Sequence, residues 1–408
     1  MTRRSLTHVG GEVEAVGNRE VADALAASLD VAPADPGNAE ADGPDRVHVH
    51  GFHTYPARMH PATASRLVLA LSAAGATVLD PFCGSGTVLV EAMIAGRRAV
   101  GTDLNPIAVR LAALKTTPRD ASWVAALVAA AHDVAAVADE RRVRRAGATR
   151  RYPADDVAAF DPHVLLELDS LRTGIAKRDD ADVRGVLELV LSAILVKVSR
   201  RASDTSTAPS PRRIAAGFPA RLFARKTEEL ARRLTELAAL LPPGTLPARV
   251  SLDDATRLRT VGASTVDAVV TSPPYVATYD YLAHHALRMR WLGLDATAFA
   301  AGEMGARRRY AKLDADGARA AWTRELAAAL RALSRVCRKG ARVVLVVADS
   351  AVDGQALRAD ALVDAVAPGS GFVRIARASQ RRPHFHGPTA RVFDSAPRAE
   401  HAIALEKR

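Results

Sequence analysis

The spacing of apolar positions changes three times along the chain. Residues 1–46 have few of them; this acidic stretch, rich in Ala, Gly, Asp and Pro, reads as a flexible arm with room for one short helix within Glu20–Leu29. From His48 the segment HVHGFHTYPARMHP is dense in His, aromatic and Pro residues, and helical spacing follows over 62–73. The string ATVLDPFCGSGTVLVEAMIAGRRAVGTDLNP then reads as a buried strand, a Gly-containing turn, an amphipathic helix and a second strand ending in an acid.

Residues 116–246 differ. Ala- and Leu-rich helical patterns, separated by turns such as SDTSTAPSPRR, contain no convincing strand, so this region is a helical insertion. Strand and helix alternation resumes at ARVSLDDATRL and VDAVVTSPPY, with a helix over 318–336, then ARVVLVVADS and FVRIARASQ. Alternating β and α elements predict a doubly wound α/β fold with helices on both faces of the sheet. The predicted organisation is an arm (1–46), a discontinuous α/β domain (47–115 and 247–408) and the insertion (116–246), a candidate for nucleic-acid recognition.

Composition sharpens this picture. A chain of 408 residues that is 49% hydrophobic and 25% charged builds a sizeable core, which excludes global disorder. The net charge of +11 is uneven: residues 1–50 carry −5, so the rest carries +16. A basic body fits a polyanionic partner. Two cysteines, Cys83 and Cys337, exclude a disulfide scaffold and a Cys-rich zinc module. No apolar run reaches the ~20 residues of a membrane span, and the opening Arg pair precedes no apolar core, so a cytoplasmic protein is expected.

Candidate chemistry starts at Val78–Thr87 (VLDPFCGSGT). Gly84 and Gly86 let backbone approach a ligand at a helix N-terminus. A pyrophosphate site wants G-x-G-x-x-G, which is absent, and Asp80 would repel a pyrophosphate while holding an ammonium group. Asp103, ending the next strand, suits a ribose with free hydroxyls. The competing reading is a nucleotide-binding α/β fold with another ligand.

DPFCGSGT followed by GTDLNP resembles the first two motifs of class I S-adenosylmethionine-dependent methyltransferases. The resemblance implies a Rossmann-like methyltransferase sheet in which Asp80, Pro81, Phe82, Gly84, Ser85, Gly86 and Thr87 wrap the methionine part of S-adenosylmethionine. Asp103, with Asn105 beside it, would bind the ribose. An acid of LDDA, Asp253 or the slightly favoured Asp254, would sit beside the adenine. FHTYPARMHP resembles the segment that helps close the cofactor pocket in DNA amino-methyltransferases, which brings in Tyr55.

The second motif, Thr271-Ser-Pro-Pro-Tyr275, follows the apolar strand VDAVV. Two prolines remove two backbone donors and leave carbonyl acceptors for an exocyclic amino group. Accepting its N–H bonds, at Ser272 and the Pro273 carbonyl, exposes the nitrogen lone pair to an electrophilic methyl. Tyr275 can stack on a base that has left its helix. With Pro274, these residues resemble the catalytic tetrapeptide of amino-methyltransferases acting on nucleic-acid bases; Ser in first place is typical of cytosine N4 methylation in DNA. Adenine N6 methylation and RNA targets such as guanine N2 in tRNA stay open, as does, outside enzymes, a DNA-binding protein on an inactive scaffold. Neither cysteine has the Pro-Cys setting of cytosine C5 chemistry. The resemblance covers about 230 residues in two pieces and leaves room for a cognate restriction nuclease as partner.

His48, His50, His53 and His60 fit no common zinc spacing, so no metal is expected; His384 and His386 are read as loop residues. Between Lys197 and Lys226 eight basic residues face one acid, Asp204. Arg200, Arg201, Arg212 and Arg213, flanking a Ser/Thr/Pro turn, are candidate DNA contacts, and Arg307–Arg309 would serve the same groove. The closing strands are expected to carry no chemistry.

Overall fold

The computed structural model describes residues 11–31, 43, 45–204, 213–383 and 387–408. In chain order the first elements are β1 (Val13–Gly17), α1 (Arg19–Leu29), α2 (Pro61–Leu71), β2 (Thr77–Asp80), α3 (Thr87–Ile94), β3 (Arg98–Asp103) and α4 (Pro106–Lys115). Five helices follow without a strand: α5 (Ala121–Val143), α6 (Ala154–Ala159), α7 (Pro162–Ala176), α8 (Ala181–Leu195) and α9 (Phe218–Ala238). Next come β4 (Arg249–Leu252), β5 (Val266–Thr271), α10 (Tyr281–Leu292), α11 (Thr297–Gly302), α12 (Arg307–Tyr310) and α13 (Ala315–Val336). The chain closes with β6 (Cys337–Ala348), β7 (Ser350–Val352), β8 (Gln355–Leu357), α14 (Ala359–Val366), β9 (Phe372–Arg381) and β10 (Ala399–Lys407).

The main sheet runs β1-β9-β10-β6-β5-β2-β3-β4. Strands β4, β3, β2, β5 and β6 are parallel, and β10 lies antiparallel between β6 and β9. Val78, Leu79, Ala268, Val269 and Val270 are fully buried, as strands covered on both faces require. Strand order reverses at β2, with β3 and β4 on one side and β5 and β6 on the other. Ligand crevices in open α/β sheets form at such a switch point, outside the carboxyl ends of the strands. The register Val78↔Ala268 and Leu79↔Val269 brings the ends of β2 and β5 side by side, so two motifs about 190 residues apart share one crevice.

The flexible-arm reading of residues 1–46 is corrected for Val13–Gly17, which form a strand, while the short helix allowed within residues 20–29 is present as α1. β1 pairs antiparallel with β9 from Val13↔Gln380 to Gly17↔Ala376, and α1 buries Val21, Ala22, Leu25 and Leu29 against the sheet and α2. As an edge strand with four exposed residues, β1 has no alternation to reveal it.

The helical stretch holds the expected helices and shares its core with the α/β part. Val134, Leu168, Leu187 and Phe223 join one apolar cluster with Val49 and Phe52 before α2, Ile107 and Leu111 of α4, and Leu287 of α10. By length and composition α5 could cross a membrane, although no run had suggested one; its Leu127, Ala131, Val134 and Ala138 form a buried stripe, and the helix packs on α7 and α9.

Candidate active site

Beyond Asp80 the chain turns through Gly84 (φ +50°) and Gly86 (φ +86°) into α3. A Cβ on Gly84 would lie 3.2 Å from the Tyr55 ring and one on Gly86 3.1 Å from Ala112, so space and backbone both call for glycine. Asp103, at the end of β3, fixes this turn: Oδ2 accepts the Gly84 N–H at 2.8 Å and Oδ1 accepts the Asn105 N–H at 2.8 Å. Each oxygen keeps a lone pair for a ligand hydroxyl. Asn105 caps α4 by accepting the Ile107 N–H at 3.0 Å, and its Nδ2 donates to the Tyr55 hydroxyl at 3.3 Å. The Tyr55 ring stacks on His285 at 4.9 Å and on Tyr281 at 6.1 Å between centroids.

Tyr55, Asp80, Gly84, Asp103 and Tyr281 line a cleft of about 900 Å³, counting its open mouth, together with Pro81, Phe82, Ser85, Thr87, Phe299, Glu303 and Met304, while Gly86 and Asn105 stand behind that lining. Of the two acids after β4, Asp254 lines the cleft and Asp253 does not. Asp253 Oδ2 accepts both the N–H and the hydroxyl of Thr260 at 2.7 Å, and Oδ1 accepts the Asp254 N–H at 2.8 Å. Burial would raise its pKa, but those hydrogen bonds outweigh it and hold the carboxyl below the usual range. Asp253 therefore builds the turn, and Asp254 faces the ligand space.

The second motif enters the same cleft through Ser272 and Pro274. The Thr271 hydroxyl donates to Asp80 Oδ1 at 2.6 Å, tying the two motifs together. The Pro274 carbonyl accepts the Trp322 indole N–H at 3.0 Å, while no hydrogen bond among the described residues reaches the Pro273 carbonyl. Tyr275 is placed differently from its expected stacking role: its ring packs against the core around α13, outside the cleft lining, and its hydroxyl donates to Glu400 Oε1 at 3.0 Å. Arg382 holds the other Glu400 oxygen through Nε and Nη2 at 3.1 and 3.0 Å. Strand β10, expected to be free of chemistry, thus supplies the partner of the motif tyrosine.

Burial raises Asp80 to about 7, against the hydrogen bonds from Thr271 and the Phe82 N–H, and raises Asp103 to about 6. Burial also pushes up both thiols, that of Cys337 to about 12, so neither is a ready nucleophile at neutral pH.

Pairing alone could not have singled out Glu303, which has no motif. Its Oε1 accepts the Tyr281 N–H at 2.6 Å, and Oε2 meets Arg308. Arg308 also bonds Asp280 at 2.8 Å, and Arg309 pairs with Glu325 at 3.0 Å, so of the basic run only Arg307 is exposed without a side-chain partner among the described residues. In the other basic segment Arg200 is held by Asp161 at 2.8 Å, Arg201 is half-buried, Arg213 is exposed, and Arg212 lies outside the described residues.

The early histidines are structural in their contacts: His50 Nε2 meets Glu91 at 2.8 Å and His53 Nε2 meets Ser192 at 2.9 Å, while His60 Nδ1 accepts the Ala62 N–H. His48, His50 and Glu91 bring ligand-type atoms within 4.8 Å of one another, but Lys115, Arg58 and Arg233 add positive charge that opposes a cation there. His384 and His386 lie outside the described residues.

Residues 34–114 match the family model described as DNA methylase (N6_N4_Mtase). The chain is 38% identical over 76 residues to the type II methyltransferase M.MvaI of Kocuria varians, covering 18% of this chain and 17% of that protein. It is 34% identical over 73 residues to the type II methyltransferase M.MjaII of Methanocaldococcus jannaschii, covering 18% and 14%. It is 46% identical over 61 residues to the tRNA (guanine(10)-N2)-dimethyltransferase of Methanothermobacter thermautotrophicus, covering 15% and 18%. The chain thus spans less than a fifth of the length of each of these relatives. The cleft fits S-adenosylmethionine: a glycine cradle with no room for a Cβ, a buried acid for an ammonium, and a second acid with lone pairs for ribose hydroxyls. Residues 34–114, which carry the cofactor motif, are thus similar to the N6/N4 DNA methylase family, and the sheet sets the second motif against them.

Proposed function

We propose that the protein is a site-specific DNA methyltransferase that methylates the exocyclic amino group of a flipped base, with cytosine N4 as its target. The observation that carries this reading is Ser272 in the wall of the cleft lined by Asp80 and Asp103, next to a Pro273 carbonyl that accepts no hydrogen bond from the described residues. The bound cofactor supplies an electrophilic methyl group. Ser272 Oγ and the Pro273 carbonyl accept the two amino N–H bonds, which turns the nitrogen lone pair out of conjugation and toward that methyl. Ser272 in first place supports cytosine N4 over adenine N6 by resemblance. RNA is the second reading, supported by the match to the tRNA dimethyltransferase.

Incubation with labelled cofactor and either genomic DNA or total RNA, followed by nucleoside mass spectrometry, tests this. N4-methylcytosine in DNA is the expected product; N6-methyladenine or a methylated RNA base as sole product overturns the assignment. No product despite cofactor binding would favour a DNA-binding protein on an inactive scaffold.

Phosphate contacts are assigned to the basic segment around Arg200 and Arg213. Replacing Arg200, Arg201, Arg212 and Arg213 together by Ala should weaken DNA binding and flatten its dependence on log salt by about 0.9 for each phosphate no longer neutralised. Arg200, already paired with Asp161, should contribute less than Arg213. Unchanged affinity and slope would remove this segment from the interface.

A further inference from the structure

The helical stretch between α4 and β4 is easily taken for an appended recognition module, yet its buried face grips the strap of residues 46–55, whose last residue lines the cofactor cleft. Arg233 of α9, itself buried, donates through Nη1 to the carbonyls of Arg46 and His48 at 2.8 and 2.7 Å. Glu229, one turn earlier, accepts the Arg233 Nε–H at 2.9 Å and aims the guanidinium. The strap is shaped around that group: a Cβ on Gly51 would lie 2.6 Å from Arg233 Nη1 and 2.5 Å from the Arg46 carbonyl. Lys226, a further turn back on α9, stands 5.4 Å over the buried Phe52 ring. From α8, the Ser192 hydroxyl meets His53 Nε2 at 2.9 Å. Two residues later comes Tyr55, whose ring forms the cleft wall over Gly84.

The opposite side of the strap packs on α10, which is itself anchored to α8. Tyr55 stacks on Tyr281 and His285 of α10, and Arg288, one turn further along α10, donates to the Ser192 carbonyl at 3.3 Å and pairs with the buried Asp204. The holds on Arg46, His48, Phe52 and His53 therefore come from α8 and α9.

We propose that the helical insertion is a structural half of the cofactor site, with Arg233 as the positioning residue that sets the strap and, through Tyr55, the affinity for S-adenosylmethionine. The proposal rests on the cleft binding that cofactor. Arg233 does not touch the ligand; it fixes two carbonyls whose placement decides whether Tyr55 closes on the cleft. A helix carrying such a residue cannot be exchanged as an independent recognition unit without altering cofactor binding.

The test measures S-adenosylmethionine affinity by titration calorimetry, with hydrogen exchange on the same samples. Arg233→Met keeps the aliphatic stem and removes both carbonyl contacts; it should raise Kd about tenfold or more and release protection at amides 48–55 while α9 stays protected. Arg233→Lys, able to reach one carbonyl, should recover part of the loss. Arg232→Ala, on the solvent face of the same helix, should bind like wild type. Should Arg233→Met fail to fold, Gly51→Ala pushes on the same guanidinium from the strap side and should weaken binding alike. A folded Arg233→Met or Gly51→Ala with Kd within twofold of wild type overturns the proposal alone. Absence of binding by the wild-type protein overturns the cofactor reading and the proposal with it.

Discussion

Ser272→Ala is expected to lower kcat by roughly 100-fold or more, about 2.7 kcal/mol of barrier, while S-adenosylmethionine binds with wild-type affinity. The hydroxyl lies in the cleft wall, and Asp80, Asp103 and the glycine turn that would hold the cofactor do not depend on it. Its removal leaves the Pro273 carbonyl as the single acceptor for two amino N–H bonds, so the nitrogen lone pair is no longer set toward the methyl group. Tyr275→Ala should behave similarly through a different cause: it removes the ring packed behind the motif and the hydroxyl bound to Glu400, so the loop loses its support. Single-turnover kinetics beside cofactor titration separates the steps. A Ser272→Ala enzyme with wild-type kcat would show that the amino group is oriented elsewhere.

Asp80→Asn should have the opposite profile, losing cofactor binding by about 100-fold or more while the unliganded fold gains stability above neutral pH. Burial raises the Asp80 carboxyl from an ordinary 3.8 to about 7. The folded protein therefore holds its proton more tightly than the unfolded chain. The stability contributed by this group is complete below about 3.8 and is lost as pH rises to about 7, on the order of 2–4 kcal/mol. An amide has no charge to bury and can still accept from Thr271, so the variant should melt higher than wild type at pH 8 and nearly alike at pH 4. Cofactor affinity follows the reverse order: the ammonium group needs the carboxylate, so wild-type binding should strengthen from pH 6 to 8 and variant binding should stay flat across it. Equal pH dependence in the two proteins would place the ammonium away from Asp80.

Much of this site was readable because its chemistry is local. Asp80, Gly84, Gly86 and Asp103 belong to a strand, a glycine turn and a strand-end acid, which are short-range patterns, although Asp80 itself meets Thr271 across 191 residues. Ser272 was legible for the same reason, as a Pro-stiffened turn directly after an apolar strand. The choice between Asp253 and Asp254 was not: adjacent acids carry the same composition, and only the turn that spends Asp253 on Thr260 leaves Asp254 facing the cleft. Glu303 and Glu400 were hidden because their partners, Tyr281 and Tyr275, lie in other elements.

The alternating α/β architecture, the helical character of 116–246 and the two motifs with their order follow from the amino-acid sequence, since helix and strand periods and glycine turns are properties of a few neighbouring residues. Folding in three dimensions was needed to set β2 and β5 side by side, to close the sheet edge with Val13–Gly17, and to carry Arg233 to the backbone beneath Tyr55. It also divided the basic residues that net charge lumps together, holding Arg200 and Arg308 in ion pairs and leaving Arg213 and Arg307 exposed. The strand pairings and the Arg233 contact span nearly 200 to more than 300 residues, and the ion pairs of Arg200 and Arg308 span 39 and 28, so burial and strand order choose among partners that look equivalent along the chain.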